Sequence, residues 1–327
     1  MSFGSAAPFS VGVEEEFFFV DADTLETAPL FSRLVPEEGS RLKAEVFECL
    51  VETTTPICAD AGEVLCELQR LRADVSRRAN TYGASVVAIG THPFARGERQ
   101  PIVPVPRYLR MAEELGDAID SQLVCGLHVH VAMADPETCL RTFEAVVPWL
   151  PVLLALSANS PFAEGEATGL RSTRAERLLE MPTGGTPPVL RNWSDWERAT
   201  GGDESRRHWD AWPRPGYGTL EVRVMDQQTD VRRSAGFAAL IRALCLAVPV
   251  EAPYDRERYA LDRARAAREA VDPLALRDLV EPAARELGEW PLVEDVLAAE
   301  PEAGRQLELG PNAALRDAAR RTVVFEA

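Results

Sequence analysis

No C-x-x-C pair and no dense cysteine framework occurs in these 327 residues. The six cysteines, Cys49, Cys58, Cys66, Cys125, Cys139 and Cys245, sit in mostly apolar settings such as "VCGL" and "ALCLAV". That pattern predicts free, buried thiols in a reducing cytosol and excludes a disulfide-stapled fold. Basic residues are outnumbered, with 35 Lys and Arg against 52 Asp and Glu, giving a net charge of −17. A broad basic surface for nucleic acid is therefore not expected. The longest apolar run, "AVVPWLPVLLALSA" from Ala145 to Ala158, is too short to span a bilayer and carries two prolines, so it reads as a buried helix. No basic-then-apolar leader opens the chain, and cytoplasmic residence without a membrane partner is the expectation. Also missing are the G-x-x-x-x-G-K-[ST] phosphate loop, the G-x-G-x-x-G fingerprint after a strand, the G-x-S-x-G elbow and the H-E-x-x-H zinc helix. Any nucleotide bound here must be held by metal and sheet residues instead.

What is present is apolar enough for a large core, at 46% hydrophobic residues, with no internal repeat. "FSVGVEEEFFFVD" (9–21) reads as a strand. Residues 58–83 read as a helix, with Val64, Leu65, Leu68, Leu71 and Val75 at three- and four-residue steps. "ASVVAIGTHPF" reads as a buried strand running into a turn, and "LVCGLHVHVAM" (123–133) as an alternating strand. Asp135 is positioned to cap the helix that begins at Pro136. The Pro-, Gly- and Trp-rich stretch 181–218 reads as loop with one short helix. "GTLEVRVMD" (218–226) returns to strand, 234–248 is an apolar core helix, and several amphipathic helices follow from Tyr254. Strands and helices alternate without a βαβ rhythm, which points to an α+β fold. A single domain over 1–327 is expected, with the sheet and site mostly in 9–250 and a helical region over 254–327.

Three of these strands share a peculiarity. Alternate side chains of a strand lie on one face. In the first strand that face carries Gly12, Glu14 and Glu16; in "CGLHVHVAM" it carries His128 and His130; in "TLEVRVMD" it carries Glu221 and Arg223. The opposite faces are apolar. Glu15 falls on the apolar side and needs a strand edge or an arginine. The simplest arrangement is one antiparallel sheet with its apolar face on helices and its polar face lining a cavity. A fourth segment, "KAEVFECLVETTTP" (43–56), adds carboxylates. Glu45, Glu48 and Glu52 share a face if it is helical; Glu52 and Thr54 share one if it is extended. An excess of carboxylates over imidazoles favours a hard cation, Mg²⁺ or Mn²⁺, and four or more carboxylates suit a site that handles a nucleoside triphosphate.

"GVEEEFFFVD", "VETTTP", "AIGTHPF", "CGLHVHV", "LALSANSPF", "TGLRSTR" and "PRPGYGTLEVRVMD" resemble, in order, the motifs of the carboxylate–amine ligases, or type 2 glutamate–cysteine ligases, over about residues 9–275. The resemblance implies a glutamine-synthetase-like fold: a curved, mainly antiparallel sheet with helices on its outer face, cradling ATP, Mg²⁺ and an amino acid. It implies metal-binding roles for Glu14, Glu16, Glu45, Glu52, His128 and Glu221. It places Arg223 at the transferred phosphate and Arg174, rather than Arg171, at the substrate carboxylate, with His130 beside His128. It further implies ATP as co-substrate, small-molecule carboxylate and amine partners, and a homodimer or higher homo-oligomer. The chain departs from the family pattern at "AEGEATG" after "NSPF" and at "RYALDRARAAREA", which bears on substrate choice.

The reaction so implied is attack of a carboxylate, such as the γ-carboxylate of glutamate, on the γ-phosphate of ATP. Amine attack on the acyl-phosphate follows. Stretch 181–218 is the natural lid, and Trp193, Trp196, Trp209 and Trp212 are candidates to flank adenine, although core packing is the stronger reading. Two alternatives stand beside the ligase: a zinc-dependent hydrolase or lyase built on His128, His130 and Glu221, and a non-catalytic relative that binds amino acid or nucleotide.

Overall fold

The structure, a computed structural model, describes residues 1–34, 40–201, 208–248 and 254–322. The Val- and Phe-rich opening stretch forms strand β1, Val11–Asp21. It is followed by β2 (Leu42–Ala44), β3 (Leu50–Thr54), β4 (Ala84–Val87), β5 (Gly126–Ala132), β6 (Ala211–Arg214) and β7 (Thr219–Asp226). These build one seven-stranded sheet in the order β6-β7-β5-β1-β3-β2, and β4 pairs with the second half of β1. All its pairings are antiparallel, giving the α+β architecture expected.

One face of the sheet is dry. Val11 and Val13, Leu127, Val129 and Val131, and Leu220, Val222 and Val224 form a core with the helices Ala61–Asn80, Leu150–Ser157 and Val231–Ala247. Several helix starts carry a side-chain cap. Asp60 accepts from Glu63 N, Asp135 from Thr138 N and Asp230 from Arg232 N, so donors that the first turn leaves unpaired are satisfied. The C-terminal helices pack into the same body. Val280, Val293 and Val296 join the core, and Thr322 Oγ1 accepts from Ala88 N at 2.9 Å.

Glu15 is fully buried on this dry side and has found its arginine. Arg72 Nε and Nη2 reach its two oxygens at 2.9 and 2.5 Å, and Ser234 Oγ donates at 2.6 Å. Arg72 also ties down the carbonyls of Gln228 and Thr229, so both buried charges are met by several hydrogen bonds that water would otherwise make.

Two stretches differ from expectation. The helix expected from Pro136 and the apolar segment form one helical run, Pro136–Ser157, which by length and composition is enough to cross a membrane, and most of it is buried inside the protein. Stretch 181–218 contains more regular structure than a loop with one helix: besides the helix Trp193–Thr200 it supplies β6, an edge strand of the main sheet. Pro213 is tolerated there because an edge strand has one unpaired side. Trp196, Trp209 and Trp212 are buried in the core and Trp193 packs on it, as the packing reading expected. The lid expectation falls partly on residues 202–207, outside the described residues.

Candidate active site

Strand register puts the predicted residues together. On β1, Glu14 lies opposite Thr54 of β3 and His128 of β5, and Glu16 lies opposite Glu52. Glu221 of β7 lies opposite His130, which in turn lies opposite Gly12. Directly paired residues of adjacent strands point to the same face. The result is a cavity of about 580 Å³ lined by Glu14, Glu16, Glu45, Glu52, His128, Arg174, Glu221 and Arg223. His130 lies against Glu14 and Glu221, with its Nε2 3.7 Å from the former and 4.0 Å from the latter.

The "KAEVFECLVETTTP" question is settled in favour of the extended form, because β2 and β3 flank a turn. Glu52 and Thr54 share the cavity face, and Glu45, just beyond β2, joins them. Glu48 turns away and accepts from Ser32 N and Oγ at the start of a short helix. Arg174 lines the cavity and Arg171 faces Glu300 at 3.5 Å.

Charge in this cavity is uneven. Glu14, Glu16, Glu45 and Glu52 crowd together. Burial, then the charges of Glu16 and Glu52, push the Glu45 carboxyl well above its usual range; burial and Glu14 push Glu52 up, with Lys43 opposing. Burial also opposes ionisation of Glu221, but Arg223 and Arg214 override it and hold the carboxyl at about 2. Arg214 Nη1 lies 2.6 Å and Arg223 Nη1 3.4 Å from it. Burial opposes the charge of Glu14 too, and hydrogen bonds from His128 and His130 outweigh it.

Among the described residues, three groups have ligand atoms within 4.8 Å of one another: Glu14, Glu52 and His128; Glu14, His130 and Glu221; and Glu16, Glu45 and Glu52. Five carboxylates and two imidazoles make an oxygen-rich set, and the like charges that raise Glu45 and Glu52 are what a hard divalent ion would relieve. The residues therefore fit Mg²⁺ or Mn²⁺ better than a softer metal.

Arg174 holds a structural feature of β7. The register of β7 against β5 shifts between Val222 and Met225, which breaks the ladder around Arg223 and Val224. The Arg174 guanidinium fills the gap, donating to the Arg223 carbonyl at 3.2 Å and the Val224 carbonyl at 3.3 Å. Gly126 makes the room: a Cβ there would lie 2.2 Å from Arg174 Nη2. A buried carboxylate seats the motifs around it. Asp226 accepts from Asn159 N at 2.8 Å, Ser160 Oγ at 2.6 Å and Ser172 Oγ at 2.7 Å, and Gly90 packs against its carboxyl group. "AIGTHPF", "SANSPF" and "RSTR" thus converge on one acid.

Several cavity residues escaped the sequence reading. Lys43 Nζ lies 2.8 Å from Glu52 and 3.2 Å from Glu14. Arg214 lies over the rings of Trp212 and Tyr217, and Tyr217 meets His130 edge-on at 5.8 Å. Reading "RPGYGT" as a hairpin turn would have placed Arg214 beside Glu221. His208, which burial and Arg223 push down to about 3, also lines the cavity, as do Arg107 and Tyr108. Beneath it, Asp210 receives Arg263 Nε and Tyr259 OH, both at 2.6 Å, while its backbone carbonyl accepts from Arg223 N at 2.9 Å. Arg263 Nη2 also donates to the carbonyl of Ala175, next to Arg174. Tyr259 and Arg263 belong to "RYALDRARAAREA", where the family pattern is lost.

Comparison with known proteins agrees with this architecture. The profile of glutamate–cysteine ligase family 2 matches residues 10–322. A provisionally named glutamate–cysteine ligase 2-3 of Rubrobacter xylanophilus is 37% identical over 90% of this chain and 90% of its own length. A provisionally named glutamate–cysteine ligase 2-1 of Nocardia farcinica is 36% identical over 89% of this chain and 85% of its own. Among solved structures, a bifunctional glutathione synthetase from Pasteurella multocida superposes on 96% of the chain with a TM-score of 0.74 at 16% identity, and the chain spans 52% of that protein. A glutamate–cysteine ligase from Francisella tularensis, in complex with AMP, covers 98% of this chain and 90% of its own at TM-score 0.70 and 14% identity. The last two similarities bear on the fold.

Proposed function

This chain belongs to glutamate–cysteine ligase family 2, and from that membership we propose that it is an ATP-dependent carboxylate–amine ligase forming an amide through an acyl-phosphate. The observation that carries the reading is that five carboxylates in three converging ligand groups share one cavity with Arg174, Arg214 and Arg223. Glu14, Glu16, Glu45, Glu52, His128 and Glu221 would hold Mg²⁺ or Mn²⁺, which supplies charge neutralisation of the polyphosphate when bound. Phosphoryl transfer asks mainly for alignment and for charge placed where charge develops. Arg223 supplies that charge, and Glu221 fixes its guanidinium. Arg174 spends two donors on the bulge and keeps others for a substrate carboxylate at the cavity wall. Glutamate is the carboxylate that the relatives' names favour; the amine is not specified by any residue described above.

The whole chain serves as one catalytic domain in this reading, because its C-terminal helices seat Arg174 and Arg223 through Arg263. Cytoplasmic residence and a homo-oligomeric state belong to the same proposal. The zinc hydrolase or lyase alternative draws on the Glu14, His130 and Glu221 group, but oxygen donors outnumber imidazoles across the cavity. The test is incubation with ATP, Mg²⁺, glutamate and a panel of amines, following ADP release and product mass. Turnover with at least one amine is expected. No turnover together with undetectable ATP binding overturns the ligase, binding without turnover marks a non-catalytic relative, and tight stoichiometric zinc in the purified protein supports the hydrolase.

A further inference from the structure

Of the 35 basic residues in the chain, one is a lysine, and it is Lys43. It stands on β2, the outermost strand, directly opposite Glu52. Its ammonium touches Glu52 Oε1 at 2.8 Å and Glu14 Oε1 at 3.2 Å, while 48% of its side chain is exposed. Those two carboxylates, with His128, form one of the three groups whose ligand atoms converge. An ammonium in contact with both acids and a divalent ion chelated by both would lie within a few ångströms of each other and repel strongly. They cannot share the place.

We propose that Lys43 is a tethered counter-cation, which neutralises Glu14 and Glu52 in the metal-free protein and is expelled when a divalent ion binds there. This inference rests on the metal-binding reading given above. Lysine suits the task where arginine does not. A guanidinium locks a carboxylate with a planar fork, whereas an ammonium is a point charge on a flexible stem that can leave. The edge strand leaves the stem free to swing. The side chain also has somewhere to go, because it stands on the wall between the 580 Å³ cavity and an adjoining, mostly apolar cavity of about 440 Å³ lined by Ile57, Pro56 and Tyr217. Expelled, the ammonium remains at the mouth of the site as a donor for an anionic group of the substrate.

A single lysine makes the test direct. Protein carrying ¹³Cε-lysine gives one lysine side-chain NMR signal, which should move saturably on addition of Mg²⁺. Mn²⁺ affinity, read by electron paramagnetic resonance, should rise on the order of 10-fold in Lys43→Met, since a competing charge is gone. It should fall in Lys43→Arg, whose guanidinium stays paired. A lysine signal indifferent to saturating Mg²⁺, or Mn²⁺ binding by Lys43→Met no tighter than by the parent, overturns the proposal. The NMR arm uses the unaltered protein, so a variant that misfolds does not shield the idea. If the unaltered protein binds no Mn²⁺ at all, the metal reading fails and this inference falls with it; Mn²⁺ binding with an unmoved lysine signal refutes this inference alone.

Discussion

Replacing Glu221 by Gln separates a catalytic loss from a folding loss. The side chain is buried, with Arg214 at 2.6 Å and Arg223 at 3.4 Å and both histidines near 4 Å. Glutamine keeps the shape and one acceptor oxygen but removes the charge. Hydrogen bonds to charged groups contribute about 1.5–3 kcal/mol against about 1 for neutral ones, so weakening these two contacts costs roughly 1–4 kcal/mol of stability. A domain of ordinary stability, about 5–15 kcal/mol, stays folded. Activity should suffer more. Arg223 loses the anion that fixes its guanidinium, and loss of a preorganised charge contact lowers rate on the order of 10²–10³-fold. The assay pairs ADP release with thermal melting of the same preparation. A rate loss far larger than the unfolded fraction explains is expected. Full activity in the folded variant, or a rate loss equal to the unfolded fraction, refutes the role given to Glu221.

Glu45→Gln should stabilise the metal-free protein at neutral pH, because burial and the charges of Glu16 and Glu52 both penalise its ionisation; a Tm rise of about 2–4 °C is expected, with Mn²⁺ binding weakened at least ~10-fold, by calorimetry and titration. Pairing Arg263→Gln with Asp210→Asn, so that no lone charge is buried, should shift Arg174 and Arg223 together: kcat falls ~10–100-fold and the KM for the carboxylate rises, while Arg263→Lys restores part of both. Asp317, held below the ordinary value of 3.8 chiefly by its hydrogen bond from Arg305, contributes stability that is present above that pH and is lost as pH falls through its lowered value. The helices Glu302–Leu309 and Pro311–Thr322 should therefore loosen below about pH 3.8; urea melts at pH 3 and 6 should show a difference that Asp317→Asn reduces and salt diminishes.

The polar face of the sheet was legible because strand periodicity is short-range. Glu14 with Glu16, His128 with His130, and Glu221 with Arg223 are each two residues apart, and a two-residue step is the whole information needed to share a face. Glu15 was legible as an anomaly only, since its partner Arg72 lies on a helix 57 residues later and nothing local names it. Glu48 shows the reverse failure. Its spacing from Glu45 and Glu52 fitted a helix face, and the chain turned there instead.

Sequence alone therefore determined strands β1, β4, β5 and β7, the helix start capped by Asp135 and which acidic and imidazole side chains face one way, because those depend on neighbours within a few residues. The tertiary structure decided what the register of separate strands and the packing of distant helices control. Glu14, Glu52 and His128 became one ligand group only when β3 and β5 took their places on either side of β1. Lys43 met two of those acids, Arg174 filled a bulge in β7, and Arg263 reached Asp210 from 53 residues further along the chain. Such contacts fall off within a few ångströms in space and carry no signature in sequence distance, so only the folded chain reveals them.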